Sequence, residues 1–178
     1  TLAQTIEKEL GQLDGILHNA SMLSELTPIE YTESETWHQI MQVNINSVFL
    51  LTNACLPLLR KSKSASIIMT TSGVGRKGRA FWGAYSVSKF ATEGLMQTMA
   101  DEFENTCIRT NCINPGATKT SMRSKAYPSE DVSKLATPEQ LMPSYVYLMA
   151  NESKGVNGHS FRTIGPTCIY GSGQKPFA

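Results

Sequence analysis

The amino-acid sequence predicts an α/β layered fold built on a mostly parallel sheet. Helical periodicity alternates with short apolar runs along most of the 178 residues. Three of those runs end near His18, Thr71 and Asn114, and each gives way to a polar or glycine-bearing turn. Composition agrees: 40% hydrophobic against 17% charged residues describes a chain that buries a core as one domain rather than staying disordered.

Leu2, Ala3, Ile6 and Leu10 mark one face of an opening helix, and Gly11 offers its stop. Gly15-Ile-Leu-His18 reads as a short buried strand leading into Asn19-Ala-Ser21. Thr32-Glu-Ser-Glu35 has the pattern of a capping box and opens a helical stretch to about Ser62. Pro57 is expected to kink that helix or tighten its final turns. Ser66 to Thr71 is the next strand, followed by a Gly-rich loop. A helix then runs from about Gly83 to Asn105, with Ala84, Ser88 and Ala91 as a small-residue stripe for close approach. Ile108 to Asn114 is a strand closed by Pro115-Gly116. The polar stretch Thr118 to Ala136 is expected to be long and mobile, without regular structure, which usually serves function. Thr137-Pro-Glu-Gln140 supplies an N-cap, a first-turn proline and a capping-box glutamine. The helix it opens carries Leu141, Tyr145, Leu148 and Met149 on its apolar side. Gly158 to Ile164 is a last strand; residues 1–164 form one domain, and 165–178 an extended or disordered tail.

Sixteen Lys and Arg against 15 Asp and Glu leave a net charge of +1, which gives no electrostatic reason to expect nucleic acid or an anionic membrane as partner. The longest apolar stretch, Val48 to Leu59, is interrupted by Thr52, Asn53 and Pro57 and reads as no membrane span. Cys55, Cys107, Cys112 and Cys168 make no C-x-x-C pair, so free thiols in a reducing cytoplasm are expected. His18, His38 and His159 are scattered, and no metal site is expected. The first residue is Thr rather than Met, so the natural start is expected upstream, with a removed targeting segment left open.

Tyr85 and Lys89 stand four residues apart in Gly83-Ala-Tyr-Ser-Val-Ser-Lys-Phe90, so on a helix they share a face. A phenol with its ordinary pKa of about 10 exchanges protons poorly near neutrality. A neighbouring ammonium favours phenolate and makes the tyrosine a usable acid or base. Ser72, at the end of a strand, can present a hydroxyl to the same spot, and Asn44 lies upstream on the long helix. Tyr-x-x-x-Lys alone occurs by chance on many solvated helices; the set of four is what points to catalysis. Asn19, Ser72 and Pro115-Gly116 each follow a strand, and ligands of open α/β sheets bind at that rim.

Together these residues resemble the short-chain dehydrogenase/reductase family. His18-Asn-Ala-Ser21 is similar to its Asn-Asn-Ala-Gly motif, and Asn44 in Val-Asn-Ile-Asn46 to its catalytic asparagine. Ser72, Tyr85 and Lys89 match its serine and Tyr-x-x-x-Lys pair, and Pro115-Gly116 with Thr118 and Thr120 its nicotinamide-lining segment. The runs Val74 to Arg79, Trp82 to Tyr85 and Ser88 to Gly94 are most similar to bacterial YciK-like oxidoreductases. The resemblance implies a doubly wound, Rossmann-like parallel sheet, here lacking its first strands. It implies NAD(P)-dependent interconversion of an alcohol and a ketone or aldehyde, with Tyr85 as proton donor and Ser72 orienting the carbonyl. Lys89 would lower the tyrosine pKa and bind the cofactor ribose, and Asn44 would hold a water linked to Lys89. The implied cofactor site is Asn19, Ala20, Tyr85, Lys89, Pro115, Gly116, Thr118 and Thr120, for NAD or NADP with a slight preference for NADP. The implied partners are a small carbonyl or alcohol substrate and a second copy of the chain, as a cytoplasmic homodimer or homotetramer. Helices 36–61 and 84–105 would pair, with Ile40, Val48, Leu51, Leu95 and Met99 as apolar candidates that equally suit covering the sheet.

Two departures stand out. Ser21 replaces the family's glycine, which is expected to alter a close backbone approach beside the cofactor. The family's opening Thr-Gly-x-x-x-Gly-x-Gly loop and first three strands, roughly 70 residues by the size of two overlapping βαβ units, are expected to be missing. That piece would hold the pyrophosphate and choose between NAD and NADP, so this chain by itself is expected to be a fragment of the enzyme. Gly73-Val-Gly-Arg-Lys-Gly78 satisfies G-x-G-x-x-G, but no helix opens directly after it, so it reads as an active-site loop. Arg76, Lys77 and Arg79 before Trp82 suggest attraction of an acidic substrate to the pocket mouth, against the plainer reading of solvated charges. Two other readings stay open: an epimerase or dehydratase of related fold, and a non-enzymatic or inactive protein on the same fold.

Overall fold

A computed structural model of the chain describes residues 1–164 and 167–170. Five strands form one sheet in the order β1 (Gly15–His18), β2 (Ala65–Thr70), β3 (Ile108–Asn114), β4 (Ser160–Ile164) and β5 (Thr167–Tyr170). The first four are parallel and β5 returns antiparallel along β4. Residues from 165 onward, expected to be an extended or disordered tail, therefore contribute a strand at Thr167–Tyr170; residues 165, 166 and 171–178 lie outside the described residues. Parallel neighbours need long crossovers, and these are the helices: α2 (Ser34–Met41) and α3 (Ser47–Leu59) between β1 and β2, α4 (Gly83–Glu102) between β2 and β3, and α5 (Ser121–Ala126) and α6 (Pro138–Met149) between β3 and β4. An opening helix α1 (Leu2–Leu10) precedes β1, stopped by Gly11 at φ 77°.

Strand side chains alternate between faces, and the two faces hold two separate cores. Ala65, Ile67 and Met69 of β2 and Ile108 and Cys112 of β3 pack with Val48, Cys55 and Leu59 of α3, Met96 and Met99 of α4, and Phe103 just past its end. Ile68 and Ile113, one position out of phase, pack with Leu141, Tyr145 and Leu148 of α6 and with Phe161. Helices on both faces make the sheet doubly wound, as predicted. Arg109 of β3 is buried on the α6 side and donates to the carbonyls of Leu148, Met149 and Ala150. Those are carbonyls that the end of a helix leaves without partners, so a buried guanidinium stands where a C-cap usually would.

The long helix is continuous from Ser34 to Leu59 but carries one π turn, Gln42–Asn46, between α2 and α3. By length and mean hydropathy, 1.2, it is apolar enough to cross a membrane. The predicted capping box at Thr32 does not form: a 3-10 turn occupies Ile29–Tyr31, and α2 starts at Ser34 with no side-chain cap. The box at Thr137 does form, with the Thr137 amide donating to Gln140 Oε1 at 2.8 Å. Residues 118–136 are not the structureless segment expected. Thr120 caps α5, a 3-10 turn occupies Val132–Lys134, and Arg123 makes a two-pronged ion pair with Glu130. Local capping and ion pairing order a stretch whose polarity reads as a loop.

Candidate functional site

In a parallel sheet every strand ends at the same rim, and that places three loops together. Asn19 and Ser21 after β1, Thr71 and Ser72 after β2, and Pro115 and Gly116 after β3 line one cavity of about 680 Å³. Tyr85 and Lys89 of α4 also line it, together with Thr118, Thr120, Met122 and Arg123 from in and before α5. Trp82, Leu141 and Tyr145 supply apolar wall.

The α4 helix does what the i, i+4 spacing requires. Lys89 Nζ lies 5.6 Å from the Tyr85 ring centroid, on the same helical face, and donates to the Thr70 carbonyl at 2.8 Å. Both side chains are buried. Burial lowers the Lys89 pKa from 10.5 to about 8, because a low-dielectric surrounding disfavours the ammonium. The same burial raises the Tyr85 phenol above its ordinary value, and the hydroxyls of Ser72 and Ser21 pull it back down. In this structure two serines thus join the groups that favour the phenolate, while the lysine, near the ring, spends its hydrogen bond on a backbone carbonyl. Ser72 Oγ also accepts from the Val74 amide at 3.4 Å, in the 3-10 turn Gly73–Gly75. That turn, with the next helix starting only at Gly83, agrees with the loop reading of Gly73 to Gly78.

Asn44 sits apart from the cavity lining. Its Oδ1 accepts from the Met22 amide at 2.7 Å, and its Nδ2 donates to the Met22 carbonyl at 2.9 Å and to Ser88 Oγ at 3.0 Å. Both amide hydrogens are engaged, so a water expected there could meet the side chain only through the second lone pair of Oδ1. What it holds is the loop after β1, against α4, at the π turn. Ser88 belongs to the small-residue stripe, which lets the π turn approach closely. At the far end of the same loop Thr70 Oγ1 donates to Asn19 Oδ1 at 2.9 Å. His18, before it, is buried against Thr52 at 2.8 Å, and burial lowers its pKa to about 4, so it is neutral at physiological pH.

On the third loop Gly116 adopts φ 70° with its amide donating to Asn114 Oδ1 at 2.9 Å, a left-handed turn suited to glycine. Thr118 is buried and donates to the Pro115 and Gly116 carbonyls at 3.3 and 3.4 Å, so it braces the turn. Thr120 accepts from the Arg123 amide at 3.2 Å as the cap of α5. The basic cluster does not reach the cavity. Arg76 turns inward to Glu93 at 3.4 Å and to Ser160, and neither Lys77 nor Arg79 lines the pocket; Trp82 does. The acidic-substrate expectation for these side chains therefore has no support in the fold. Sequence reasoning missed Tyr127, whose ring stands 6.0 Å from Trp82 and carries the Arg123 guanidinium at 3.8 Å. No periodicity could have found it, since it follows a six-residue helix in a segment read as loop.

The cavity offers a ligand unused polar groups. Two buried hydroxyls on its wall, Ser21 Oγ and Thr71 Oγ1, have no hydrogen-bond partner among the described residues, and such groups are usually satisfied.

Comparison with known proteins agrees with this geometry. The family model for short chain dehydrogenases matches residues 1–131. The uncharacterized oxidoreductase YciK of Escherichia coli K12 is 51% identical over 160 residues, covering 90% of this chain and 63% of its own length. A short chain dehydrogenase of Shigella flexneri 2a solved in complex with NADP superposes with a TM-score of 0.88 at 50% identity, over 90% of this chain and 67% of that one. One from Escherichia coli CFT073 in complex with NADPH gives the same score, identity and coverage. The chain thus spans a little under two thirds of the length of the YciK relative it matches.

Proposed function

The chain belongs to the short chain dehydrogenase family, and from that premise we propose that it forms the catalytic part of an NAD(P)-dependent oxidoreductase interconverting an alcohol and a ketone or aldehyde. The observation that carries the reading is the convergence of Ser72, Tyr85 and Lys89 on one cavity bordered by the Pro115-Gly116 turn. NADP is the preferred nucleotide, on the strength of the similar proteins solved with NADP and NADPH. Lys89 and Tyr85 would hold its ribose, Asn19 and Ala20 would border it, and Pro115 and Gly116 would line its ring, with Thr118 and Thr120 shaping that wall. The bound nucleotide supplies or accepts the hydride.

The chain's own residues handle the proton and the position of the carbonyl. Tyr85 donates its phenolic proton to the carbonyl oxygen during reduction and takes it back in oxidation. Burial suits it to the first task, because a raised pKa keeps the phenol protonated until the oxygen becomes basic. Ser72 directs its hydroxyl at the same oxygen and stabilises the negative charge that develops there. Lys89, with a pKa of about 8, is mostly charged at neutral pH and sits within reach of the ring. Asn44 acts at one remove, by fixing the loop that carries Ser21.

The test is turnover of a panel of ketones and aldehydes by the intact protein with NADPH and with NADH. Tyr85→Phe keeps the ring and its contact with Trp82, 5.7 Å between centroids, so the fold should survive. Turnover should fall by about 10²–10⁴-fold, the usual contribution of a positioned acid. A variant that still turns over at the parent rate removes Tyr85 from the chemistry.

A further inference from the structure

Where the family motif after the first loop ends in glycine, this chain has Ser21. The exchange has a structural consequence that the mechanism above leaves unused. Ser21 lines the cavity together with Ser72, Tyr85 and Lys89. Its Oγ is buried and has no hydrogen-bond partner among the described residues. The backbone accepts the side chain without strain: among described residues other than glycine, Phe81 alone has a positive φ.

We propose that Ser21 is a catalytic residue of this protein, its hydroxyl donating to the Tyr85 oxygen alongside Ser72 when the phenol gives up its proton. The claim rests on the reading of Tyr85 as the proton donor. A phenolate oxygen accepts more hydrogen bonds than a phenol, so two serine hydroxyls can serve it at once, while a serine still has lone pairs for other donors. Ser21 is held in place for that role from both sides. Asn19 is tied to Thr70 at 2.9 Å, and the Met22 backbone is tied twice to Asn44. With the loop pinned, the remaining freedom of the hydroxyl is rotation. The nearby charges do not replace it. Lys89 donates to the Thr70 carbonyl at 2.8 Å, and Arg123, the other charged group on the cavity wall, is paired with Glu130. The hydroxyls of Ser72 and Ser21 are the groups whose approach favours the ionised phenol against its burial. Ser21 Oγ makes no hydrogen bond in this state, and the bond to Tyr85 forms as charge appears on the phenol oxygen.

In the mechanism the proton leaves Tyr85 for the carbonyl oxygen, the O–H bond of Ser21 stays intact, and no other group changes its protonation. Ser21 lowers the free energy of the state Tyr85 is left in. A glycine at this position has no hydroxyl and cannot do this.

The experiment is a spectroscopic titration of the intact protein carrying Ser21→Ala or Ser21→Gly, each compared with the same protein also carrying Tyr85→Phe. The difference in phenolate absorbance isolates Tyr85 from the other tyrosines and needs neither substrate nor nucleotide. The Tyr85 midpoint should rise by about half to one pH unit in both variants, as loss of a donor to the charged form requires. The midpoint in the pH profile of kcat/KM for alcohol oxidation should move the same way, with a drop of about 3–10-fold at pH 7. A Tyr85 midpoint that stays put in both variants overturns the proposal, whatever happens to turnover. A midpoint that moves in a protein with no measurable turnover upholds the bond from Ser21 to Tyr85 but sinks the oxidoreductase reading, and the catalytic role of Ser21 with it.

Discussion

Replacing Lys89 by Met should make the protein more stable at neutral pH while abolishing its activity. Lys89 is 3% exposed, and burial lowers its pKa from 10.5 to about 8. At about 1.4 kcal/mol per pH unit, holding the charged form inside the fold costs about 3 kcal/mol. The sign follows from proton counting. Below pH 8 both folded and unfolded chains carry the proton, and the full penalty applies. Between about 8 and 10.5 the unfolded chain still binds a proton that the folded one has released, so stability climbs with pH across that window. Met nearly matches the volume without the charge, but it leaves the Thr70 carbonyl without its donor at 2.8 Å, which returns about 1 kcal/mol. The expected net gain is about 2 kcal/mol at pH 7 by urea unfolding of the intact protein, shrinking steadily above pH 8 and turning into a small loss near pH 10.5. A variant less stable than its parent at pH 7, or a gain that ignores pH, would refute the assignment of Lys89 as a destabilising buried cation.

Gly75 is needed for close approach rather than for its dihedral angles: a Cβ there would lie 2.8 Å from the Lys89 carbonyl oxygen and 2.9 Å from Lys89 Cβ. Gly75→Ala should therefore push the Ser72 loop off α4, with about 1–3 kcal/mol lost in urea unfolding and kcat reduced about 10²-fold by misplacement of Ser72; full activity would mean the loop yields without moving the serine. We also propose that the chain pairs with a second copy through α3 and α4, where Phe49, Leu50, Val87 and Phe90 are all more than 40% exposed. Phe49→Ser with Phe90→Ser should lower the sedimenting mass of the intact protein, and an unchanged mass would exclude this surface.

That surface shows how far residue patterns carry. Ile40, Val48 and Met99, candidates for pairing on apolarity alone, are buried, and Leu51 and Leu95 pack against the same core. Which apolar stripe of a helix turns inward depends on where the sheet lies, and a helix that is apolar on several sides does not announce it. Asn44 is a similar case. Its spacing from Tyr85 marked it, but only the π turn directs its amide to Met22 and away from the cavity. Arg76 was misread because its partner, Glu93, is 17 residues further along, on α4, and Tyr127 was invisible for want of any local pattern.

The sequence by itself determined the alternation of strands and helices, the four-residue step from Tyr85 to Lys89 and the loops that end each strand. These are local matters of periodicity and turn chemistry, and a parallel sheet then brings the loops to one rim of necessity. Only the tertiary structure decided which groups act on the phenol. Whether an ammonium meets a ring or a carbonyl, and whether a serine hydroxyl is buried beside it, depends on contacts between residues tens of positions apart, settled by packing to within about an ångström.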